Sequence, residues 1–552
     1  MLKAENRLKR NFQNLNRKHA RKERINCLAQ EDGRSLDRKL KFIKEGRIEL
    51  PEVTRNYEKV TYDVPQQELT AQKYSFTIVQ AEVGKLPMNI KIRTLSPPEL
   101  KKLYGNYVRA GFGNYSTPYL EGSFNSKRSD KYNYGAHLRQ FSSALGPIKY
   151  SKTGETILEG YGTYFLPKTA VDGKLLYQRN RYNYYGFNHA IPPEVDQDTI
   201  KQVFNTVSAQ VGLRNTDPRA KTDYAGGLKY WYFKGREVTE NEVAVDAQGN
   251  HKLDEEKSVD VNLLYAYSTR NATGKLNRSF FQLRPAFIFK RDKYKITGGL
   301  NFAFGGDTAV ERKFHVYPRI KGEYQVLEGE LTAFAGIDGE LQKNTLRTFA
   351  NENPWIDVNT PLIHTNKSLE IFGGIKGNVL EKLNYKARIA YQNYKYLYFY
   401  MNNSRDTSRF DIVYDSTNTG VFNFLAAVSY DFTEKYRIGL NANYYNYNTG
   451  TLAKAYHRPA FDLSVLSTYN IYKKIYFNLD IFYISGLYAV NSKNKEVKLS
   501  DIIDLNATID YKFSDSFSAF IQANNIISKK YQRYLNYPVK GINILAGVSY
   551  TF

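Results

Sequence analysis

The 552-residue chain holds one cysteine, Cys27, with three methionines and two tryptophans. A single cysteine excludes an internal disulfide framework and any cysteine-rich zinc site. No stretch approaches the roughly 18 consecutive apolar residues that a membrane-crossing helix needs. His19, His137, His189, His251, His315, His364 and His457 form no i, i+4 pair and no cluster with metal-ligand spacing. There is no Gly-x-Ser-x-Gly elbow, and Ser151-Lys152-Thr153-Gly154 lacks the glycine spacing of a phosphate loop. Asp254-Glu255-Glu256 reads as a solvated turn, and His137, on an expected strand, as a wall residue rather than a base. The chain thus offers no catalytic residue, no metal site and no cofactor site, and it is not expected to be an enzyme.

Also missing is the apolar core, about 7–15 residues long, of a secretory leader. Residues 1–26 are instead basic, carrying Arg7, Lys9, Arg10, Arg17, Lys18, Arg21 and Lys22 against Glu5 and Glu23. Two readings of residues 1–29 stand. One is a basic amphipathic helix with Leu2, Leu8, Phe12 and Leu15 on a ragged apolar face. The other is a misplaced or frameshifted start, with Cys27-Leu28-Ala29 and then Gln30-Glu31-Asp32 resembling the end of a leader and the start of a mature chain. Residues 30–105 are mixed and charged, broken by Pro51, Pro65, Pro87, Pro97 and Pro98. They read as an extended periplasmic or lumenal segment with little core of its own.

What the chain has in excess is aromatic and basic: 47 tyrosines, 32 phenylalanines and a net charge of +24. Its end is organised. Ile542, Ile544, Ala546, Val548, Tyr550 and Phe552 fall on one face of an extended strand, and Asn543, Gly547, Ser549 and Thr551 on the other, with Leu545 the lone exception. The same pattern recurs upstream. Ile503, Leu505, Ala507, Ile509 and Tyr511 alternate with Asp504, Asn506, Thr508 and Asp510, and Tyr436, Ile438, Leu440 and Ala442 are spaced alike. Inner faces bearing Asp504, Asn506, Asp510, Asp480, Arg437 and Asn443 are too polar for the dry interior of a sandwich. They suit a barrel with water inside and lipid outside. Such a sheet must close, because edge groups left unpaired in hydrocarbon cost several kcal/mol each.

Counting such segments over residues 106–552 gives about 22, an even number that fits a transmembrane antiparallel β-barrel in a bacterial outer membrane. Short connections near Arg291-Asp292-Lys293, Leu327-Glu328, Leu380-Glu381, Thr433-Glu434, Lys473 and Asp515 are expected at the periplasmic end. Longer ones near 189–200, 342–365, 401–418, 490–500 and 527–540 are expected outside. Pro285 and Pro318 lie inside expected strands and imply a bulge or a wrong boundary. Such a chain is expected to meet outer-membrane lipids and lipopolysaccharide, whose phosphates its basic residues can neutralise, and no nucleic acid.

The last strand resembles the closing strand of outer-membrane barrels, whose terminal aromatic is read by the barrel-assembly machinery. The resemblance makes Tyr550 and Phe552 the candidate assembly signal. Asn524-Asn525-Ile526-Ile527-Ser528-Lys529-Lys530-Tyr531-Gln532-Arg533 and Asn536-Tyr537-Pro538-Val539-Lys540-Gly541 resemble the approach to that strand in TonB-dependent receptors. Residues 30–38 and Phe349-Ala350-Asn351-Glu352-Asn353-Pro354-Trp355 are similar to a narrower group carrying that label. The resemblance implies transport or secretion of a solute or polypeptide across the outer membrane, in company with a surface lipoprotein or another outer-membrane subunit. A scaffold subunit of an outer-membrane assembly is the alternative. Receptors of this kind carry a globular plug before the barrel, and residues 30–105 show no such pattern. The lumen is instead expected to be filled by long loops, by that segment or by a partner, with the segment entering or capping the periplasmic mouth and narrowing the channel.

Overall fold

The computed structural model describes residues 105–127, 129–189, 194–306, 313–433, 435–491 and 493–552. The expectations for the leader and for the segment at the periplasmic mouth lie outside the described residues. The described chain forms one 22-stranded antiparallel sheet. Each strand pairs with the next, and the last closes on the first, from Tyr107↔Thr551 to Gly113↔Leu545. The barrel is closed.

Alternation is what places each side chain. In the last strand, Asn543–Thr551, Ile544, Ala546, Val548 and Tyr550 are exposed, and the odd-numbered residues face in. Leu545 breaks the polar pattern for a reason. It is buried inside the wall against Tyr119 and Phe520. Phe520 in turn lies beneath the Arg109 guanidinium, 3.5 Å from its ring centre, and Arg109 pairs with Asp510 at 3.0 Å. The closing seam is thus pinned from within, where its strands are short: seven residues in Tyr107–Gly113 and eight in Phe517–Asn524.

At the short-turn end the outward residues are aromatic and touch in series. Phe517 meets Tyr550 at 4.7 Å between ring centres, Tyr550 stacks on Phe552 at 5.5 Å, and Phe552 meets Phe124 at 6.2 Å. Elsewhere on that rim Phe432 meets Tyr436 at 5.0 Å, and Tyr294 meets Tyr324 at 4.8 Å. This is the aromatic girdle of a membrane interface. Tyr550 and Phe552 both stand in it, facing lipid.

Both prolines lie inside strands, and their cost appears in the ladder rather than at a boundary. Beside Pro285, pairing skips from Leu283↔Phe302 to Ala286↔Gly299. Lys313–Leu327, which contains Pro318, pairs with Leu331–Gln342 only from Ile320 onward. Asn301, fully buried, bridges that gap by donating to the Gly339 carbonyl at 2.8 Å.

One expected loop is corrected. Residues 401–418 are mostly strand: Leu383–Asn402 and Phe410–Thr433 run 20 and 24 residues and leave only 403–409 between them. A bulge at Tyr396 (φ +56°) shifts the register between Lys395 and Leu397 and swaps the faces, which hides the continuation from a strict period of two. The other long connections emerge at the same end. Two small ribbons, Tyr488–Val490 with Glu496–Lys498 and Gln532–Tyr534 with Tyr537–Pro538, decorate them.

Candidate functional site: a charged lumen beneath a loop-built lid

The inner wall carries charge of both signs, mutually paired. Arg284 binds Glu340 at 2.8 Å, Lys367 reaches Glu340 at 3.0 Å and Glu370 at 2.9 Å, and Arg388 completes the row on Glu370. Lys229 meets Asp246 at 2.7 Å and Lys174 meets Glu159 at 2.9 Å. Asn443 donates to Asp462 at 2.8 Å, and the Asp504 carboxylate accepts from the Tyr531 hydroxyl at 2.6 Å. Asp480, Asn506, Asp510 and Arg437 share that inward side. His137 also faces in, 3.4 Å from Glu121. The inner-face residues singled out in the sequence therefore line one lumen.

The mouth at the long-loop end is covered by the chain itself. The connection between Leu331–Gln342 and Thr365–Val379 contains the single α-helix among the described residues, α1, Leu346–Glu352. Thr345 caps it: its hydroxyl accepts from the Thr348 N–H at 3.1 Å, and the Thr348 hydroxyl accepts from the Thr345 N–H at 2.9 Å. The first turn has no acidic residue of its own. Buried Glu240, on the strand Thr239–Lys252, supplies the charge by accepting from the N–H groups of Leu346 and Arg347 at 3.1 and 3.0 Å. The Arg347 guanidinium then lies 4.1 Å from the Trp231 ring centre. The helix is thereby anchored to the wall.

Beyond α1, Trp355 is the hub. It stacks on Tyr537 at 3.9 Å between ring centres and meets Tyr185 and Tyr534 edge-on at 6.0 and 5.9 Å. Its indole N–H donates to the Asn183 carbonyl at 3.1 Å. Ile356 and Phe410 form a parallel bridge. The Tyr537 hydroxyl donates to the Ser408 carbonyl, and the Tyr534 hydroxyl to the Glu352 carbonyl at 2.9 Å. Gly186 is needed at this junction, since a Cβ there would stand 2.5 Å from the Tyr537 ring. Four connections from separated parts of the barrel thus close over one apolar core, comprising Phe349, Ile356, Phe410, Tyr534 and Tyr537.

Two buried histidines tie the lid to the barrel. His457 packs edge-on against Phe410 at 5.4 Å, and its carbonyl accepts from Arg533 at 2.6 Å. Burial, with Arg533 adding to it, pushes the imidazole down to about 3. His364, beside Arg278 at 3.0 Å, is likewise held well below its ordinary value, chiefly by burial. Both are neutral in the closed lid and regain a pKa of about 6.5 when the lid opens. Protons therefore favour the open form. Closure is fully supported above about pH 6.5 and weakens by up to about 1.4 kcal/mol per pH unit per histidine below it. A thiol placed beneath the lid is expected to react faster with an impermeant maleimide at pH 5 than at pH 7, after correction for thiolate fraction. His457→Gln should reduce the difference, leaving the share of His364, and equal corrected rates in the parent protein would contradict the arrangement.

A closed barrel of this strand number has solved counterparts. The chain is similar to the FrpB iron transporter from Neisseria meningitidis, with TM-score 0.64 and 10% identity over 82% of each chain. It is similar to the siderophore receptor PiuA from Acinetobacter baumannii, with TM-score 0.61 and 10% identity over 81% of this chain and 82% of that one. The ferric-catecholate import receptor Fiu from E. coli K12 gives TM-score 0.62 and 10% identity over 82% of each chain. This is the barrel fold of TonB-dependent receptors. No family model matches the chain, and no curated protein sequence does. The receptor-type barrel is a multi-pass outer-membrane protein, so its short-turn end is periplasmic and its lid extracellular. The sequence marks these connections as long and external, and Phe349–Trp355, residues 524–533 and residues 536–541 for their resemblance, but not their contact with one another.

Proposed function

We propose that this chain is a gated transport barrel that passes a solute or polypeptide across the outer membrane, with the extracellular lid as its gate. One observation carries the reading: a charge-lined, water-compatible lumen lies beneath a lid built from the connections between barrel strands. Loops can move without disturbing the ladder of the barrel, as elements of low local stability do. The solved neighbours are import receptors and transporters by name, which supports uptake as the direction. Residues 30–105, in place of a globular plug, would narrow the periplasmic mouth, and Tyr550 with Phe552 would guide assembly.

The test is solute flux. Liposomes carrying barrel that lacks residues 30–95 and has residues 346–358 replaced by a short Gly–Ser linker should swell in a small neutral oligosaccharide. Liposomes carrying the intact chain should not. Absence of swelling in both would leave the scaffold reading in its place.

A further inference from the structure

The inner wall is bare at one place. Thr153–Phe165, Thr169–Asn183, Lys201–Asn215, Thr222–Lys234 and Thr239–Lys252 are adjacent strands. They share an inward rung that runs Thr163–Asp172–Gly212–Gly227–Asp246. Its two central positions carry no side chain. A Cβ on Gly212 would meet only the backbone of Gly226 and Gly227, at 3.2 Å and beyond. One on Gly227 would meet the Val211 carbonyl at 3.3 Å and the edge of Asp246 at 3.6 Å. The floor is therefore backbone, and a hollow of about 340 Å³ opens above it. Glycine inside a strand weakens it, and often marks a place where a ligand approaches the backbone closely.

Polar groups surround this floor. On the rung itself Asp172 and Asp246 stand about 14 Å apart at the backbone, across three strand spacings. On the rung toward the long loops Gln210 pairs with Lys229, and on the rung toward the short turns Arg214 pairs with Ala225. Arg214 donates to Asp172 at 3.0 Å, and the Thr163 hydroxyl donates to the other Asp172 oxygen at 2.6 Å. Lys229 meets Asp246 at 2.7 Å. All four charged side chains are still about two-fifths exposed. Among the described residues the Gln210 amide has no hydrogen-bond partner.

The pairing of the charges selects the ligand. An anion, a cation or a zwitterion would have to break an ion pair in order to bind. A hydroxyl need not, because a paired carboxylate keeps free lone pairs and a paired guanidinium or ammonium keeps free N–H donors. A hydroxyl also donates and accepts at once, so it suits both signs and the amide between them. A flat floor ringed by such groups fits a ring that carries hydroxyls around its edge, and the volume is in the range of small-molecule sites. We propose that this hollow binds a pyranose ring of a neutral oligosaccharide. The ring lies on the glycine floor, with its hydroxyls held by Asp172, Gln210, Arg214, Lys229 and Asp246. The site rests on the transport reading, for which it names a class of solute, since the lumen must admit the sugar.

A saturation-transfer NMR titration of the full chain, in a detergent without a sugar headgroup, tests it. Maltotriose, mannotriose and N,N′-diacetylchitobiose are the probes, with triethylene glycol as a polar control that has no ring. At least one of the sugars should bind. Gly227→Leu, which keeps every polar group and fills the floor, should weaken that binding at least tenfold. Gln210→Leu should weaken it several-fold, with heat-modifiability unchanged. Binding by none of the sugars, or binding equal to the parent in both variants, would overturn the proposal. So would equal binding of triethylene glycol, which would mark a generally polar lumen. Sugar binding by a barrel whose liposomes never swell would sink the transport reading and leave the site standing. Swelling without sugar binding would sink the site alone.

Discussion

Trp355→Ala should expose the lumen to the outside. Trp355 stacks on Tyr537, meets two further tyrosines edge-on and closes a hydrogen bond to Asn183. Truncating such a hub costs about 3–5 kcal/mol, and that loss falls on the lid alone, because Trp355 belongs to no barrel strand. At about 1.4 kcal/mol per decade, the open population should rise by about a hundredfold or more. Ser208 supplies the probe. It is fully buried on the inner wall and pairs across the ladder with Trp231, over which Arg347 lies. In a Cys27→Ser background, Ser208→Cys on intact cells should react slowly with an impermeant maleimide. It should react far faster once Trp355→Ala is added. An unchanged rate would mean that the lid does not cover the lumen.

The second large effect concerns closure. At Gly547 a Cβ would stand 2.1 Å from the Ala110 carbonyl oxygen and 2.6 Å from the Gly111 Cα, both on the first strand. Gly547→Val should therefore separate the first and last strands. Each orphaned backbone group in lipid then costs several kcal/mol, and the folded, heat-modifiable barrel should vanish both in cells and in detergent refolding. Deleting Phe552 removes a single backbone exchange, with Asn106 at 3.0 and 3.3 Å, and one girdle ring. It should leave refolding in detergent nearly intact and lower the folded yield in the membrane several-fold at unchanged synthesis. Equal membrane yields for the deletion and the parent would remove Tyr550 and Phe552 as an assembly signal.

The contrast between these two predictions reflects what a linear sequence can display. Period-two alternation is local, so the run from Ile542 to Phe552 announces a strand with a lipid face, and the short turns at Asp292, Leu380 and Lys473 announce one rim. Where a single residue breaks the period, the signal fails: the bulge at Tyr396 makes the facing ends of two long strands, residues 401–418, read as a loop. Leu545 looked like an error in the pattern until Tyr119 and Phe520 supplied its partners. The lid was not legible at all as a unit. Tyr185, Trp355, Ser408 and Tyr537 sit on four connections with no shared periodicity, and only closure of the barrel brings them together. The signal that could have marked them is compositional: Asn353-Pro354-Trp355 and Asn536-Tyr537-Pro538 place rigid turns beside large aromatics, which is costly in a loop that packs against nothing.

Sealing by the lid also changes what removal of the amino-terminal segment should do. With residues 346–358 in place, loss of residues 30–95 should leave the extracellular mouth shut. The most direct measurement is single-channel conductance in planar bilayers, comparing chain lacking residues 30–95 with the same chain whose residues 346–358 are replaced by a Gly–Ser linker. The lid predicts a low, flickering conductance for the first and stable openings about tenfold larger or more for the second, as an unfilled barrel of this size leaves an aqueous channel. Large stable openings with the lid intact, or none after its removal, would contradict it.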